Sequence, residues 1–461
     1  MDLNLHTTKG EEDCLYINVY VPKTGSGKPL DVVAHIHGGA FMIGFSQEFI
    51  GDKYIMDKDV IVVSFNYRLG ALGFLSTEDD VVPGNNGLKD QALALKWIQE
   101  NVEAFGGNPK SVTLTGFSAG AASVHFHYFS PYSVGLFHRG MSVSGTALGS
   151  WAIQQEPLET ARSLAQNVGC NFTDTKKMVD CLKTRPASLL VSKTKQCLHP
   201  FQPLPCCPFA PVVEKGGKKP FLDEHPYKLL KQGKVLDVPW ISSVTADDGL
   251  VLSAMALPKL EETNERWNDF TGHHIVHYFR SAPHIFEKIK KHYAVLDQDD
   301  TTLSFDELTK LSTDRTFLVP MQTAVELQSR VTKSPIYAYH FNYEGVNSVK
   351  TLLSPHKQLE GVCHGDDMIY FMGAVIFKPL TDQDIKMKDV CMDILYSYAT
   401  KGVPSINKSG WEPVKKDFVY YDINGPDDIQ KRIERDFHVK KFWDSLGLIE
   451  NENLVMQKDE L

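Results

Sequence analysis

Residues 112–124, "VTLTGFSAGAASV", constrain the fold more than any other stretch of this 461-residue chain. Val112-Thr113-Leu114-Thr115 is β-branched and apolar, the composition of a buried strand. Ala119, Gly120, Ala121 and Ala122 suit the start of a tightly packed helix. Between them lies Gly116-Phe117-Ser118-Ala119-Gly120, a Gly-x-Ser-x-Gly pentapeptide. At ordinary glycine and serine usage such a pentapeptide arises by chance in about one chain in six of this length, so its setting carries the weight. A strand that turns sharply into a helix at a serine presents that serine as a nucleophile. The glycines let the backbone bend without a Cβ clash and leave room beside the serine oxygen. Ser118 then needs a base, an acid to hold that base, and N–H donors for an oxyanion.

The rest of the chain supplies a sheet for this turn. Residues 14–22, "CLYINVYVP", alternate and read as a strand. Residues 31–39, "DVVAHIHGG", are a second strand ending in glycines, and residues 59–70, "DVIVVSFNYRLG", a third. "GNNGLKDQALALKWIQENVEAFGGNP" has helical spacing at Leu88, Ala92, Leu95 and Ile98 and stops at Gly106-Gly107. "LFHRGMSVSG", "VPWISSVTADDG" and "PIYAYHFNY" read as later strands. Strand and helix in alternation predict an α/β fold with a largely parallel sheet covered by helices. Residues 151–208 and 258–319 read as helix-rich insertions on that sheet, within one domain spanning 1–461.

Composition narrows the function. Hydrophobic residues at 42% and charged residues at 23% are those of an ordinary globular protein. The net charge of −9, with no Lys/Arg cluster, argues against nucleic acid as a partner. No apolar run is long enough to span a bilayer. No Cys/His spacing resembles a zinc site, and the chemistry of an activated serine requires no metal or cofactor.

Of seventeen histidines, most are surface or core residues by default. His125 and His127 lie on the helix that begins at Ser118, which carries them away from it. His364, in "GVCHGDDMIYF" after the strand-like "IYAYHFNY", stands where a general base belongs, on a loop past a late strand. For the acid, Asp248 ends the strand-like "VPWISSVT", and Asp314 in "STDRTF" is its rival. Asp366 and Asp367 are too near His364 in sequence to fold back on it. The chain order Ser118, Asp248, His364 differs from that of chymotrypsin or subtilisin and is the hydrolase order that goes with a serine on a strand-to-helix turn. His37-Gly38-Gly39-Ala40, in "HIHGGAF", follows a strand, and backbone N–H groups in such a loop can converge on one site.

Taken together, "EDCLYINVYVP", "HIHGGAF", "NYRLGALGFL", "GNNGLKDQALALKWIQENVEAFGGNP", "GFSAGAAS", "LFHRGMSVSG" and "GVCHGDD" resemble the type-B carboxylesterase/cholinesterase family, insect detoxifying carboxylesterases most of all. The resemblance runs over nearly the whole chain. It implies an α/β-hydrolase fold, a triad of Ser118, Asp248 and His364, oxyanion N–H groups from Gly39, Ala40 and Ala119, and a disulfide between Cys170 and Cys181. It implies hydrolysis of a small-molecule ester through an acyl-enzyme. Three departures stand out. The family usually has Glu as the triad acid, where this chain has Asp248. Ala40 replaces the last glycine of the oxyanion run, which adds a methyl and keeps the N–H. The family's further N-terminal segment, whose early cysteine pairs with the cysteine of "EDCLY", has no counterpart here, which leaves Cys14 without an evident partner.

Phe117 stands where the family often carries Glu, a charge that in cholinesterases helps hold a cationic substrate. Phe removes the charge and adds apolar area beside the reacting centre, which favours neutral, lipophilic esters; packing below the turn is the competing reading. Two other classes stand against the esterase. Some relatives have lost the triad and serve as adhesion or binding proteins, against which the joint presence of Ser118, Asp248 and His364 counts. A shortened, catalytically impaired product is the other.

The two ends of the chain point to the secretory route. Lys458-Asp459-Glu460-Leu461 is a retrieval address of the endoplasmic reticulum, read by its receptor in the lumen. The polar start "MDLNLHTTKGEED" shows no signal peptide, so an upstream portion of the native protein is expected. Cys170 and Cys181 bracket a short loop of the kind a disulfide closes. Asn171-Phe172-Thr173 inside it and Asn407-Lys408-Ser409 are glycosylation sequons. Cys206-Cys207 read as lumenal thiols or buried residues.

Overall fold

A computed structural model describes residues 8–23, 27–47, 56–197, 208–275, 283–294, 302–353, 359–373, 378–406, 408–434 and 439–448. Its centre is a sheet of nine strands: β1 (Ile17–Tyr20), β2 (Leu30–Ile36), β3 (Val60–Phe65), β4 (Gly107–Phe117), β5 (Arg139–Val143), β6 (Trp240–Thr245), β7 (Ile336–Phe341), β8 (Phe418–Gly425) and β9 (Asp428–Glu434). In space they run β1-β3-β2-β4-β5-β6-β7-β8-β9. The pairs from β3 through β8 are parallel, and β1 and β9 close the two margins antiparallel. The β-branched run Val60–Phe65 is buried at every position, as a central parallel strand with helices on both faces must be.

Alternation within the strands sorts side chains to two cores. Val32, Ala34, Ile36, Ile61, Val63, Val112 and Leu114 face one, with helices α1 (Asn86–Asn101), α2 (Ala119–His127) and α3 (Val319–Val331). Val33, Val62, Phe117, Met141, Val143, Ile241 and Tyr339 face the other, beneath α4 (Met368–Met372) and α5 (Asp382–Lys401). Helix α2 is buried along its whole length, which its Ala/Gly-rich sequence allows. No helix among the described residues is long and apolar enough to cross a membrane.

The α/β expectation holds, with differences at the ends of elements. The first strand begins at Ile17, after Cys14, and pairs along its length only with β3. Helix α1 ends at Asn101, where a short 3-10 turn and Gly106 at φ 82° bring the chain into β4. The hairpin β8–β9 lies beyond the strands read from the sequence: its outer strand carries Asp428, Gln430, Arg432 and Glu434 on one face and Ile429, Lys431 and Ile433 on the other, a charged margin that discourages further pairing. Between residues 151 and 208 lie the helices Pro157–Asn167, Thr175–Leu182 and Ala187–Lys193, packed on the first core. Between 258 and 319 the insertion has an apolar cluster of its own, with Trp267, Ile289, Leu308 and Leu311, completed by Trp443 from the late helix Val439–Ser445. A π-helical turn, Asp314–Leu318, joins it to α3.

One consequence of this topology positions everything below. Strands in a parallel sheet deliver their following loops to one edge. Gly38 follows β2, Ser118 follows β4, Ser144 follows β5 and Asp248 follows β6, and His364 lies on the long connection after β7.

Candidate active site

Ser118 sits between β4 and α2 with φ 57° and ψ −120°. Such a conformation costs a non-glycine residue about 1–3 kcal/mol, and it persists only where the surroundings over-determine it. They do so here. The Ser118 N–H donates to Val143 O at 2.9 Å, and its carbonyl accepts from Ala122 N at 3.0 Å. Both glycines of the pentapeptide are fixed by close approach. A Cβ on Gly116 would stand 2.3 Å from Gly120 O, and one on Gly120 would stand 2.1 Å from Ile36 O on β2. The sharp turn therefore needs glycine on each side of the serine for room, beyond any need for unusual angles.

Asp248 and His364, 116 residues apart, meet in a hydrogen bond: Nδ1 of the imidazole is 2.7 Å from Asp248 Oδ1. The carboxyl is wholly buried and the imidazole nearly so. Two hydrogen bonds clamp the loops that carry them, one between backbones from Asp247 N to Val362 O at 3.0 Å and one from Val362 N to the Asp247 carboxylate Oδ2 at 2.9 Å. Oδ2 of Asp248 accepts twice, from the Ser144 hydroxyl at 2.9 Å and from Thr245 N at 2.9 Å. Asp314 is elsewhere: it accepts from Tyr293 Oη at 3.0 Å and from Lys310 Nζ at 3.4 Å within the second insertion. Asp366 takes bonds from Ser348 Oγ, Val349 N and Cys363 N, and Asp367 from Tyr339 Oη.

His125 and His127 are core residues. His125 stacks on Trp240 and bonds to Gln328, and His127 bonds to Ser133 and Gln91. Burial lowers both pKa values to about 3, so both rings are neutral at neutral pH.

The loop after β2 comes against the serine. A Cβ on Gly38 would stand 2.8 Å from Phe117 O and 3.0 Å from Ser118 Cβ, so a larger residue there would push the loop off the turn. Gly39, Ala40 and Phe41 follow with φ of 105°, 54° and 58°. Three successive positive φ values coil the backbone tightly, and the N–H groups of Met42 and Ile43 both close the coil on Gly39 O, at 2.9 and 3.0 Å. His37 holds the coil: its Nδ1 lies 2.8 Å from Gly38 O, and since a carbonyl accepts, that nitrogen carries the proton. Tyr67 stacks on the His37 ring at 4.4 Å and donates to His37 O at 3.1 Å. Burial drops the His37 pKa to about 4 and keeps the ring neutral. Ala119 opens α2, so its N–H has no intrahelical carbonyl to meet.

Two phenyl rings lie on the imidazole of His364, Phe117 at 4.6 Å and Phe317 at 4.7 Å between centroids. Phe117 is only 6% exposed. Its ring also lies close to Gly38 and Gly365 and belongs to the second core. Phe317 belongs to the π-helical turn, and Trp151 packs between it and Phe41 while donating to Thr316 O at 3.2 Å. Sequence reasoning missed Phe317 and Ser144. The signal for Ser144 was present, a Ser-Gly pair at a strand end, and its φ of 55° marks the turn. Nothing local in "STDRTF" announces the packing of Phe317, because a π-turn and a long-range contact create it.

Cys170 and Cys181 form a disulfide, and Asn171 within their loop is exposed. Cys14, Cys197, Cys363 and Cys391 are free thiols. Asn407, Cys206, Cys207 and the tail 458–461 lie outside the described residues.

The sheet order, the strand–turn–helix at Ser118 and the loops gathered at one edge define the α/β-hydrolase fold. The structure matches that of juvenile hormone esterase from Manduca sexta, solved with OTFP covalently attached, at a TM-score of 0.83 and 28% identity, over 96% of this chain and 86% of that one. The model of the carboxylesterase family matches residues 1–441, and the chain belongs to that family of carboxylic ester hydrolases. It is 38% identical to venom carboxylesterase-6 of Apis mellifera, over 96% of this chain and 81% of the relative. It is 37% identical to juvenile hormone esterase of Tribolium castaneum, over 86% and 71%.

Proposed function

We propose that this chain is a serine esterase that cleaves neutral, lipophilic carboxylic esters through an acyl-enzyme. The hydrogen bond between Asp248 and His364 across 116 residues, on the edge that presents Ser118, carries the reading. With Nδ1 held by Asp248, Nε2 is the ring nitrogen left to act as base. His364 takes the Ser118 proton as the hydroxyl oxygen attacks the ester carbonyl. Asp248 holds the tautomer and stabilises the imidazolium that forms. The N–H groups of Gly39, Ala40 and Ala119 receive the tetrahedral oxyanion, each donor contributing on the order of 3 kcal/mol. The alcohol leaves with the proton from His364, and water then cleaves the acyl-enzyme by the same path in reverse.

The apolar rings of Phe117 and Phe317 on His364, with no carboxylate before the serine, support neutral esters over choline esters. The test is a fluorophosphonate probe together with a p-nitrophenyl ester series varied in acyl length and charge. Labelling at Ser118 and preference for uncharged esters are expected. An unlabelled, folded chain would return the reading to a non-catalytic binding protein.

The tail Lys458-Asp459-Glu460-Leu461 supports a site of action in the lumen of the endoplasmic reticulum, with the retrieval receptor as partner. The Cys170–Cys181 disulfide and the exposed Asn171 suit that compartment as a cross-link and a glycan acceptor. Endoglycosidase-sensitive mass at Asn171 and reticular staining that is lost when the last four residues are deleted are the expected results.

A further inference from the structure

Three buried carboxyls cluster at the His364 loop, and their surroundings differ. Asp248 is met by the imidazole, a hydroxyl and a backbone N–H. Asp366 is met by a hydroxyl and two backbone N–H groups. Asp367 is wholly buried and receives one side-chain bond, from Tyr339 Oη to Oδ2 at 3.0 Å, with the Met368 N–H as its backbone neighbour. Its Oδ1 finds no hydrogen-bond partner among the described residues. The groups that face it are Asp366 on its own loop, Asp248 from the loop after β6, Tyr339 on β7 and the buried thiol of Cys391 on α5. When ionised, Asp248 and Asp366 both act on it with negative charge, and burial pushes the Asp366 carboxyl up as well, to about 7.

A wholly buried carboxylate with one side-chain donor and one bare oxygen, within reach of other carboxylates, is the arrangement in which one of the acids keeps its proton. We infer that Asp367 is held as a neutral, protonated carboxylic acid beside the active site, so that Asp248 acts on His364 without a second negative charge at its side. Burial, and after it the charge of Asp248, push the Asp367 carboxyl up to about 8, in agreement with the geometry. An ionised Asp367 would add to the negative field around the Asp248–His364 pair, and the titration of the base would then reflect two carboxylates instead of one.

The inference rests on the esterase reading for its kinetic consequence but not for its direct one. Asn is isosteric with a protonated Asp, so Asp367→Asn is expected to keep kcat/KM at pH 7 within about tenfold of wild type. An inflection near pH 8 is expected in the wild-type profile and is expected to be absent from that of Asp367→Asn. A folded Asp367→Asn protein that loses more than about tenfold at pH 7 would overturn the assignment, since a neutral isostere would then have failed. The direct readout is infrared difference spectroscopy of wild type against Asp367→Asn. A protonated carboxyl C=O band at pH 6.5 that disappears above about pH 8 is expected. A carboxylate band at pH 6.5 would overturn it, whether or not the chain cleaves esters. Fluorophosphonate labelling of wild type reports on the esterase reading separately. If Asp367→Asn does not fold, Tyr339→Phe removes the side-chain donor and should carry the same band to higher pH; an unmoved or lowered titration would count against the proposal.

Discussion

Ser144 donates its hydroxyl to Asp248 Oδ2 at 2.9 Å, on the oxygen that His364 leaves unoccupied. It does so from a left-handed backbone conformation just past β5. A hydrogen bond to a charged group is worth about 1.5–3 kcal/mol. Ser144→Ala is therefore expected to lower kcat by a factor of about ten to a hundred with KM little changed, because the bond orients the acid rather than the ester. Steady-state kinetics on a variant with unchanged thermal stability would check it. A change confined to KM would place Ser144 outside this role.

Ser118→Ala should abolish turnover and fluorophosphonate labelling while the fold stays intact. Loss of a triad serine typically removes a factor of about 10⁶. The turn itself depends on Gly116 and Gly120, so alanine at 118 leaves the backbone restraints in place. Retention of even about a tenth of the activity would show that another group is the nucleophile.

Asp248→Asn and Asp314→Asn separate the two acids that the sequence left in competition. The amide at 248 favours the wrong imidazole tautomer, and a loss of about 10⁴ in kcat is expected. Asp314 bonds Tyr293 and Lys310 inside the second insertion, so its amide variant should act on unfolding temperature more than on kcat. The opposite ranking in two folded variants would transfer the acid's role to Asp314.

Asp367 also sets a dependence of stability on pH. Its carboxyl is raised in the folded chain to about 8 from its ordinary 3.8. Between those values the folded chain holds a proton that the unfolded chain has released, so stability falls as pH rises through that window. Asp367→Asn removes this contribution. Its unfolding midpoint should gain on that of wild type from about pH 4 to about pH 8 and run parallel above it. Denaturant titrations at four or five pH values would show a constant difference if the group is ionised throughout.

Replacing Cys170 and Cys181 together by serine opens a loop with a separation of 11 residues. The expected loss is about 2–3 kcal/mol, with esterase activity per folded molecule unchanged, since the loop lies in the first insertion. A loss of activity at full folding would mean that the insertion shapes the site.

The sequence by itself determined the strand–turn–helix at Ser118, the glycine loop after β2, the alternation that builds a parallel sheet, and the bracketing cysteines. Each of these is a local matter, written in propensity, periodicity and the steric freedom of glycine at 116 and 120. It also placed Asp248 and His364 after late strands, because parallel strands send their loops to one edge. What only the tertiary structure decided is long-range. Asp248 and Asp314 look alike along the chain, and only Asp248 is brought to His364, by a backbone bond and a bond to the Asp247 carboxylate that tie residue 247 to residue 362. Ser144 and Phe317 come to Asp248 and His364 through folding, one from a strand end and one from a π-turn in an insertion. Asp367 becomes unusual only when burial takes away water and leaves it one donor beside another carboxyl. Local pattern fixes which elements form; solvation, charge and packing between distant elements fix what their side chains do.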